Sequence, residues 1–289
     1  MNGRIVIPGA GGMVGRVLAG QARAQGRDVV ALTRSEWDIT DALAAARFIE
    51  AGDVVINCAG YTKVDAAEAE PERVAAVNTT GPETIARACA RAGADFIHIS
   101  TDYVFSGDFS AVPGGGPRPY DIDDATGPLS VYGRTKLAGE FAVLAAMPDA
   151  HIVRTAWVYQ GRDGTDFVAV MRRAALGDGV VEVVADQIGS PTYAEDLCTA
   201  LLQIADGAIR QPLLHAANDG AVSRFEQARA VFAELGADPS RVRPVGSDEH
   251  PRPAPRPPYS ALSARRSAEA GLTPLRGWRE ALCAALSVA

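Results

Sequence analysis

The sequence predicts an α/β fold in which a doubly wound parallel sheet is followed by a smaller C-terminal lobe. In the first half of the chain, short β-branched runs alternate with longer alanine-rich stretches, a spacing typical of strand–helix–strand units. The β-branched runs are apolar throughout rather than at alternate positions, which predicts strands covered by helices on both faces. At 289 residues, the chain is long enough for one large domain and a smaller lobe.

Each element of this prediction follows from a segment of the sequence. Five apolar runs are expected to form buried strands, at residues 4–9, 28–33, 53–60, 95–100 and 151–159. Alanine-rich windows between them are expected to form helices, at residues 14–25, 41–51, 71–92 and 131–146. Beyond them we expect a strand at 180–186 and helices at 193–205, 224–236 and 277–286. The proline-dense stretch 250–260 predicts irregular structure, and the glycine- and proline-rich stretch 106–119 predicts a surface loop.

The composition argues against several classes of function. The net charge of −7 and the pI of about 5.2 are not those of a nucleic-acid-binding protein. No window reaches the apolar length of a membrane span, and the first residues lack the layout of a signal peptide. The four cysteines and four histidines are scattered, so neither a disulfide framework nor a metal site is expected. We therefore expect a cytoplasmic protein.

A glycine-rich turn follows the first predicted strand and begins the first predicted helix. Its sequence, GAGGMVG, places Gly9, Gly12 and Gly15 in a G-x-x-G-x-x-G spacing. Glycines at such a turn let a pyrophosphate approach the backbone, and the helix N-terminus supplies free N–H groups. This position predicts a dinucleotide site on a Rossmann-type sheet. We expect residues 1–158 to form this NAD(P)-binding domain, with a returning strand and helix near 180–206, and residues 159–289 to form mainly a substrate-binding lobe.

The residues after the second predicted strand bear on the choice of cofactor. An acidic side chain there holds the adenosine ribose hydroxyls, whereas a cation accepts a 2′-phosphate. The segment LTRSEWDITD has Arg34 where such a cation is useful, and Glu36 slightly later. NADPH is therefore the expected cofactor. NADH stays open, because the alternative for Arg34 is a solvated loop residue.

A phenol and an ammonium lie four residues apart in the segment YGRTKLAGE. On a helix, this spacing puts Tyr132 and Lys136 on one face, one turn apart. Reducing a ketone needs a hydride on carbon and a proton on oxygen, and a neighbouring ammonium lowers the pKa of a tyrosine that supplies this proton. Thr101, at the end of the fourth predicted strand, offers a hydroxyl to orient the substrate carbonyl. Together the three residues predict a carbonyl reductase.

The order of several motifs is similar to that of one reductase family. The sequence resembles the dTDP-4-dehydrorhamnose reductases, which are extended short-chain dehydrogenases, over nearly its whole length. The motifs are GAGGMVG, DITD, INCAGYTKVDAAE, VN, STDYVFSG, YGRTK, RTAWVY, DQIGSPT and RPPYSAL. STDYVF, R-T-x-W-V-Y and D-Q-x-G-x-P-T are more specific to this group than the glycine loop. The resemblance implies NADPH-dependent reduction of the C4 ketone of dTDP-4-dehydro-L-rhamnose (dTDP-6-deoxy-L-lyxo-4-hexulose) to dTDP-L-rhamnose.

The resemblance also implies roles for particular residues. Thr101, Tyr132 and Lys136 would form the catalytic group, in which Tyr132 donates the proton and Lys136 also holds the cofactor ribose. Besides Arg34, the cofactor would be bound by Gly9, Gly12, Met13, Val14, Asp38, Ile39, Ala59, Gly60, Tyr61 and Asn78. The dTDP-sugar substrate would be bound by Asp102, Tyr103, Trp157 and, as a diphosphate clamp, Arg256.

For five of the singled-out residues the sequence leaves a structural alternative open or favours it. Trp157 is alternatively a core residue, Asp102 a cap of the following turn, and Arg256 a solvated residue of a proline-rich loop. Cys58 and His98 lie within apolar strands and are interpreted as packing residues.

The sequence departs from the family pattern in ways that bear on assembly and substrate. Val17 stands where members that dimerise through magnesium carry an acidic side chain, so we expect no metal and a monomer or weak homodimer. The long, glycine-rich loop 106–127 predicts an unusual rim for the substrate pocket.

Three other functions stay open at this point. One is reduction of another nucleotide-linked 4-keto-deoxysugar, such as a dihydrostreptose-type product. A second is an epimerase that retains NAD. The third is a non-catalytic regulatory subunit of a methyl-donor synthetase, against which the intact Thr101, Tyr132 and Lys136 argue.

Overall fold

A parallel β-sheet forms the centre of the fold. The computed structural model describes residues 3–41, 43–110, 115–162 and 164–287. The strands of this part of the chain are β1 (Ile5–Pro8), β2 (Val29–Leu32), β3 (Val54–Asn57), β4 (Asp95–Thr101), β5 (His151–Thr155), β6 (Val158–Tyr159), β7 (Val181–Val184), β8 (Ile188–Gly189), β9 (Thr192–Tyr193), β10 (Leu213–His215), β11 (Val222–Ser223) and β12 (Val242–Val245).

The strand order shows where such a sheet binds its ligands. Within the described residues, the central sheet has six strands in the order β2–β1–β3–β4–β5–β10. All neighbouring pairs are parallel, which confirms the predicted doubly wound α/β fold. The chain places β2 on one side of β1 and then crosses to place β3 on the other. Ligands bind outside the carboxyl ends of the strands at this switch point.

Helices cover both faces of the central sheet. In the described residues they are α1 (Met13–Ala24), α2 (Ala45–Phe48), α3 (Val64–Ala67), α4 (Pro71–Ala75), α5 (Gly81–Ala92), α6 (Val131–Ala146), α7 (Phe167–Ala175), α8 (Ala194–Ala205), α9 (Arg224–Glu234), α10 (Arg265–Glu269) and α11 (Trp278–Ser287). On one face, Ile5 of β1 belongs to the same core as Leu18 of α1 and Leu201 of α8. On the other, Val6 shares a core with Ile85 of α5. Successive side chains of a strand point to opposite faces, so apolar residues occupy every position of β1.

Two predicted helices differ from the observed ones. The window 41–51 forms only α2, because the Asp41 carboxylate accepts the Leu43 N–H in a turn that competes with the helix. Residue 42 lies outside the described residues. The window 71–92 forms α4 and α5, with the π-helical segment Ala76–Thr80 between them. Widened turns of this kind occur mostly at functional sites, and this one carries Asn78.

The predicted strand 151–159 is broken in the structure. It forms β5 and β6, and between them Trp157 has a φ of 47°, in the left-handed region. For a bulky residue this conformation costs about 1–3 kcal/mol and persists only where its surroundings enforce it. The break therefore marks Trp157 as a residue whose position is imposed by its contacts.

The C-terminal lobe has a core of its own. β7 pairs in parallel with β12, and Val168 of α7, Phe232 of α9 and Leu282 of α11 belong to one apolar cluster beside them. The strand expected at 180–186 is β7, and it lies in this lobe rather than in the central sheet. The adjacent helix α8 does pack on the sheet, and the sixth strand is β10, which the sequence analysis does not predict. The division of the chain at residue 158 stays a prediction.

The glycine- and proline-rich stretch 106–119 is partly buried, and the expectation of a surface loop is wrong for Phe109. This side chain is buried beside Tyr120, whose ring stacks on Phe105 with the ring centres 4.1 Å apart. Tyr120 also forms a bridge with Leu262 near the end of the chain. Aromatic side chains thus anchor both ends of this stretch, since apolar burial outweighs the loop-forming tendency of glycine and proline. Residues 111–114 lie outside the described residues.

Candidate active site

The glycine turn between β1 and α1 requires glycine for steric reasons. Gly9 has a φ of +81°, and a Cβ on it would lie 2.4 Å from the backbone nitrogen of Ala59. A Cβ on Gly15 would lie 2.5 Å from the carbonyl oxygen of Gly9. The ends of β1 and β3 and the first turn of α1 can therefore approach one another only because these side chains are absent.

Two adjoining cavities open at the carboxyl ends of the strands. The larger, of about 360 Å³, is lined by Met13 and Val14 of α1, by Asn57–Thr62 and Ile99–Asp102 after β3 and β4, and by residues of α6. The smaller, of about 190 Å³, extends from Gly9 towards Arg34, Asp38 and Ile39. Gly12 and residues 58–61 line both cavities, which makes them one groove.

Arg34 lies at the outer end of the groove. Its side chain is 70% exposed and contacts the Asp38 carboxylate at 3.4 Å. Hydrogen bonds from Thr40 lower the pKa of Asp38, with a smaller contribution from Arg34. Glu36 does not line the groove, and its carboxylate accepts hydrogen bonds from the backbone and hydroxyl of Thr33, which lower its pKa. Arg34 is thus the side chain of this turn best placed to meet a phosphate.

Asn78 holds the loop after β3 that lines the groove. It is fully buried on the π-helical segment, and its amide donates to the Tyr61 carbonyl while its oxygen accepts the Tyr61 N–H. This pair of bonds holds the loop after β3, to which Ala59 and Gly60 belong. Asn78 itself lines neither cavity, so its direct contact with a cofactor stays a prediction.

Thr101, Tyr132 and Lys136 line the larger cavity together. Gly133 permits this, because a Cβ on it would lie 2.3 Å from the carbonyl oxygen of Tyr103. The first turn of α6 therefore lies directly on the backbone that follows β4. As a result, the Thr101 hydroxyl lies close enough to the phenol of Tyr132 to act on its pKa.

Burial sets the charge states of the candidate proton donor and its neighbour. It raises the pKa of Tyr132, and the hydrogen bond with Thr101 opposes this only in part. Burial also lowers the pKa of Lys136 to about 8, against an opposing effect of Glu140 one turn further along α6. The sequence predicts a lowered tyrosine pKa, whereas the structure raises it because desolvation outweighs the nearby donors. Tyr132 therefore carries its proton at neutral pH.

Lys136 points towards β4. Its Nζ donates to the carbonyl oxygen of Ile99 at 2.6 Å and lies 3.1 Å from Nε2 of His98. His98 is fully buried, as expected of a packing residue, yet it contacts the candidate catalytic lysine through its ring nitrogen. The sequence analysis missed this contact, because nothing in an apolar strand pattern shows which buried residue faces which helix.

Asp102 joins the cavity to the C-terminal lobe. Its Oδ2 accepts a hydrogen bond from the Ser260 hydroxyl at 2.5 Å, and its Oδ1 accepts one from Thr101 at 3.1 Å. Burial raises the pKa of Asp102 to about 6, against the lowering effect of these bonds. The cap of the turn after β4 is Thr101, whose oxygen accepts the Tyr103 N–H, and not Asp102.

Trp157 forms part of the cavity wall and stacks on an arginine. The Arg224 guanidinium lies 3.5 Å from the centre of the indole ring and 4.8 Å from that of Phe167. A Cβ on Gly189 would lie 2.4 Å from the indole, so glycine is needed beside it. Trp157 is therefore more than a core residue, because its ring borders the cavity and stacks on the Arg224 guanidinium.

Sequence reasoning missed Arg224 altogether. It is the first residue of α9, after the capping residue Ser223, where the helix dipole disfavours a cation. That unfavourable placement is the signal in the sequence that points to a role outside the helix. Burial lowers the pKa of Arg224 to about 10, and the nearby Tyr103 and Asp102 oppose this lowering.

Arg256 is engaged within the protein. Its two terminal nitrogens donate to the two carboxylate oxygens of Asp65, at 2.8 and 2.9 Å. The side chain is only 18% exposed, which rules out the alternative of a solvated loop residue. Arg256 and Tyr103 line neither cavity of the groove, although they lie close enough to hydrogen-bond to each other. The diphosphate clamp expected of Arg256 stays a prediction.

Comparison with known proteins places this geometry in a family. The family model described as the RmlD substrate binding domain matches residues 3–289. The dTDP-4-dehydrorhamnose reductase of Mycolicibacterium smegmatis is 66% identical over 282 residues, which cover 98% of this chain and 84% of the relative. The chain belongs to the dTDP-4-dehydrorhamnose reductase family. The reductase of Mycobacterium tuberculosis is 63% identical over 284 residues, covering 98% of this chain and 92% of the relative.

Solved structures of dTDP-4-dehydrorhamnose reductases share the whole fold. The Clostridium acetobutylicum structure matches with a TM-score of 0.89 and 34% identity, over 99% of each chain. The Bacillus anthracis structure, a complex with NADP, matches with a TM-score of 0.88 and 33% identity, over 98% of each chain. Both the central sheet and the C-terminal lobe are therefore common to these proteins and to this chain.

Neither a metal-binding cluster nor a membrane-spanning helix is found in the described part of the chain. In the part of the chain that the structure describes, no three His, Cys, Asp or Glu side chains are grouped as a metal site would need. The expectation of a metal-free protein stays a prediction. Across the same residues, no helix combines the length and the apolar character needed to cross a membrane.

Proposed function

We propose that the protein reduces the C4 ketone of dTDP-4-dehydro-L-rhamnose to dTDP-L-rhamnose with NADPH. One observation carries the proposal: Thr101, Tyr132 and Lys136 line the same cavity as the first turn of α1. A proton donor thus lies beside a site suited to a dinucleotide. The substrate is inferred from the relatives, among which the Mycolicibacterium smegmatis protein is a dTDP-4-dehydrorhamnose reductase at 66% identity.

The residues along the groove fit NADPH. The groove joins the glycine turn to Arg34, the two places where the pyrophosphate and the 2′-phosphate of one cofactor are expected. Gly9 and Gly12 would receive the pyrophosphate, Arg34 the 2′-phosphate, and Lys136 the nicotinamide ribose. When bound, NADPH supplies the hydride for the C4 carbon. The Bacillus anthracis relative was solved as a complex with NADP, which supports the same choice.

The contribution of the chain to the reaction is a proton transfer. As the C4 carbon gains hydride, the Tyr132 O–H donates its proton to the carbonyl oxygen, and the ketone becomes an alcohol. The raised pKa of Tyr132 keeps this proton available at neutral pH. The Thr101 hydroxyl, which donates to Asp102 in this structure, would stabilise the resulting phenolate by turning its proton towards the Tyr132 oxygen.

We assign the diphosphate of the substrate first to Arg224 and only second to Arg256. Arg256 donates both arms of its guanidinium to Asp65. Among the described residues, Arg224 has no carboxylate partner within ion-pair distance, and its guanidinium donates a hydrogen bond to Gln227 at 3.3 Å. A partly buried guanidinium without an acidic partner favours an anionic ligand. Arg256 would then hold Tyr103 and Asp65 in place beside the sugar.

A competing assignment is reduction of a different nucleotide-linked 4-keto-deoxysugar. The dTDP-4-keto-6-deoxy-D-glucose reductase of Streptomyces niveus is 40% identical over 286 residues, covering 98% of this chain and 96% of the relative. The same catalytic group would serve either substrate, since both reactions add hydride and a proton to a C4 ketone. Pocket shape therefore decides between them.

The proposal extends to the working form of the protein. It would act in the cytoplasm as a metal-free monomer or weak homodimer, without nucleic-acid or membrane partners. The net charge of −7 supports the lack of affinity for nucleic acid. Val17, in place of an acidic side chain, supports the absence of a metal-bridged dimer. Sedimentation with and without EDTA tests this part.

One coupled assay tests the reaction and the substrate together. The purified protein is mixed with NADPH and dTDP-4-keto-6-deoxyglucose, with or without a 3,5-epimerase, and the nicotinamide absorbance is followed. NADPH consumption that depends on the epimerase supports the proposal. Consumption without the epimerase supports the competing substrate. Cofactor binding without consumption would overturn both reductase assignments.

A further inference from the structure

A chain of hydrogen bonds connects the cofactor groove to Lys136 through two buried side chains. It begins at the Ala59 N–H, which donates to Oδ1 of Asn57 at 3.0 Å. Nδ2 of Asn57 lies 3.1 Å from Nδ1 of His98, and Nε2 of His98 lies 3.1 Å from Nζ of Lys136. The chain ends where Lys136 donates to the Ile99 carbonyl at 2.6 Å.

The first hydrogen bond of this series fixes which group donates and which accepts in all the others. The backbone N–H of Ala59 can only donate, so Asn57 must present its oxygen to Ala59 and its NH₂ group to His98. An amide NH₂ also only donates, and Nδ1 of His98 must therefore accept. A neutral imidazole that accepts at Nδ1 carries its proton on Nε2. An imidazolium would place an N–H against the Asn57 N–H.

The forced direction has a consequence for Lys136. The Nε2–H of His98 points at Nζ, and an ammonium has no lone pair to accept it. The contact is a hydrogen bond only when Lys136 is a neutral amine, which accepts from His98 and donates to Ile99. We propose that Asn57 and His98 are positioning residues whose fixed hydrogen-bond direction favours the neutral amine of Lys136 over the ammonium, and that Lys136 takes up a proton more readily once a bound cofactor ribose draws it away from His98.

The surroundings of Lys136 agree with this assignment. Asn57, His98 and Lys136 are at most 5% exposed, so water does not replace their mutual bonds. Burial holds the pKa of His98 well below its ordinary value, so the imidazole is neutral. Burial likewise lowers the pKa of Lys136. The remaining titratable side chains that line the cavity are Cys58, Tyr61, Asp102 and Tyr132.

Glu140 is the charged group that opposes a neutral lysine. Its carboxylate is held by the Arg154 guanidinium at 2.9 and 2.7 Å and by the Ser100 hydroxyl at 2.5 Å. Because Arg154 offsets this charge within the same buried network, Glu140 does not impose a proton on Lys136. The lysine therefore responds mainly to His98 and to what occupies the groove.

The proposal rests on the proposed function only for the use of Lys136 in turnover, and its first test needs no turnover. Nitrogen-15 NMR of histidine-labelled protein reports the tautomer of each imidazole. The His98 signals are identified by their loss in His98→Phe, or by elimination with His151→Gln, His215→Asn and His250→Gln if that variant does not fold. A neutral His98 protonated on Nε2 at pH 7 is the expected result. A proton on Nδ1, or an imidazolium, overturns the proposal.

The second test measures the effect on Lys136. His98→Phe removes the N–H that donates to Nζ of Lys136 and so removes the bond that favours the neutral amine. The basic limb of the pH dependence of kcat/KM should therefore move to higher pH by about one pH unit, as expected for one hydrogen bond. His98→Gln keeps an N–H near Nε2 and should keep the wild-type limb. Equal profiles for wild type and His98→Phe would overturn the role of His98. If no substrate is turned over, calorimetry in two buffers replaces the pH profile and measures the protons taken up when NADP binds. Only the wild type and His98→Gln should take up a proton.

Discussion

The guanidinium of Arg224 stacks on the indole of Trp157 at 3.5 Å. This contact joins the first turn of α9 in the C-terminal lobe to the wall of the cavity that Thr101, Tyr132 and Lys136 line. The stack fixes a cation beside this cavity and accounts for the left-handed backbone of Trp157, whose φ is 47°. Two lobes thus build one site.

We expect Arg224→Ala to weaken the binding of dTDP roughly tenfold to a hundredfold, the range for loss of a charged hydrogen bond. Thymidine, which lacks the diphosphate, should bind equally well to both proteins. The affinity of Arg224→Lys for dTDP should lie between those of the wild type and Arg224→Ala, because lysine keeps the charge but does not stack on Trp157. Titration calorimetry measures all three. Arg229→Ala, on the same helix over Phe225, is the matched control, and an equal loss in this variant would contradict the assignment.

Tyr132→Phe should reduce kcat by ~10²–10⁴-fold, because it removes the O–H that donates the proton. NADPH should bind with little change, since the ring remains. Tyr103→Phe is the control, as its ring lies edge-on to Tyr132 with centres 5.6 Å apart. It should affect KM more than kcat. A loss below tenfold in Tyr132→Phe, measured under saturating substrate, would remove Tyr132 from the proposed role.

Arg34→Ala should lower the preference for NADPH over NADH roughly tenfold or more, because it removes the cation proposed for the 2′-phosphate. The side chain is 70% exposed, so the folded protein should be unaffected. Comparing KM for the two cofactors measures the effect. Arg23→Ala, in the last turn of α1, provides a control with the same loss of charge. An unchanged cofactor ratio in Arg34→Ala would argue against this contact.

Two glycines of α1 should respond oppositely to alanine. A Cβ on Gly15 would lie 2.5 Å from the carbonyl oxygen of Gly9, so Gly15→Ala should destabilise the protein by about 1–3 kcal/mol and weaken cofactor binding. Gly20 has no atom within 4 Å of the same position, and Gly20→Ala should stabilise the helix by up to about 1 kcal/mol. Urea unfolding compares the two. Similar free energies of unfolding would show that the close approach of α1 to β1 is not required.

The pKa of Asp102 makes the stability of the protein depend on pH. Burial raises this pKa to about 6 from 3.8, so the neutral acid is the form that folding favours. The contribution of neutral Asp102 to the free energy of unfolding is complete below pH 3.8 and is lost as the pH rises through 6. Asp102→Asn cannot ionise, so between pH 4 and pH 7 the wild type should lose up to about 3 kcal/mol relative to this variant. A constant difference in the free energy of unfolding across this range would contradict the raised pKa.

Local patterns were sufficient to predict much of the molecule. The alternation of apolar runs and alanine-rich windows predicted β1 to β5 and most of the helices, because each depends on periodicity within a few neighbouring residues. The window 131–146 corresponds to α6 at both ends. The spacing of Tyr132 and Lys136 needed only the helical repeat to place both side chains on one face.

The errors have a common physical cause. The strand β7 carries the expected apolar residues, but it pairs with β12 and not with a strand of the central sheet, and pairing between distant segments leaves no mark in either one. Trp157 interrupts an apolar run because Gly189 and Arg224 hold its ring. Phe109 is buried in a segment whose glycines and prolines indicate a surface loop. In each case packing overrode the local preference.

The sequence by itself determined the sheet class, the glycine turn and the family, and it predicted the trio of Thr101, Tyr132 and Lys136, because these depend on residue type and on spacing along the chain. The tertiary structure alone decided which buried groups face one another. It placed His98 against Lys136, Asp102 against Ser260 and Arg224 against Trp157. The charge states of the site follow from those contacts, since desolvation and hydrogen bonding depend on neighbours that the chain brings together only when it folds.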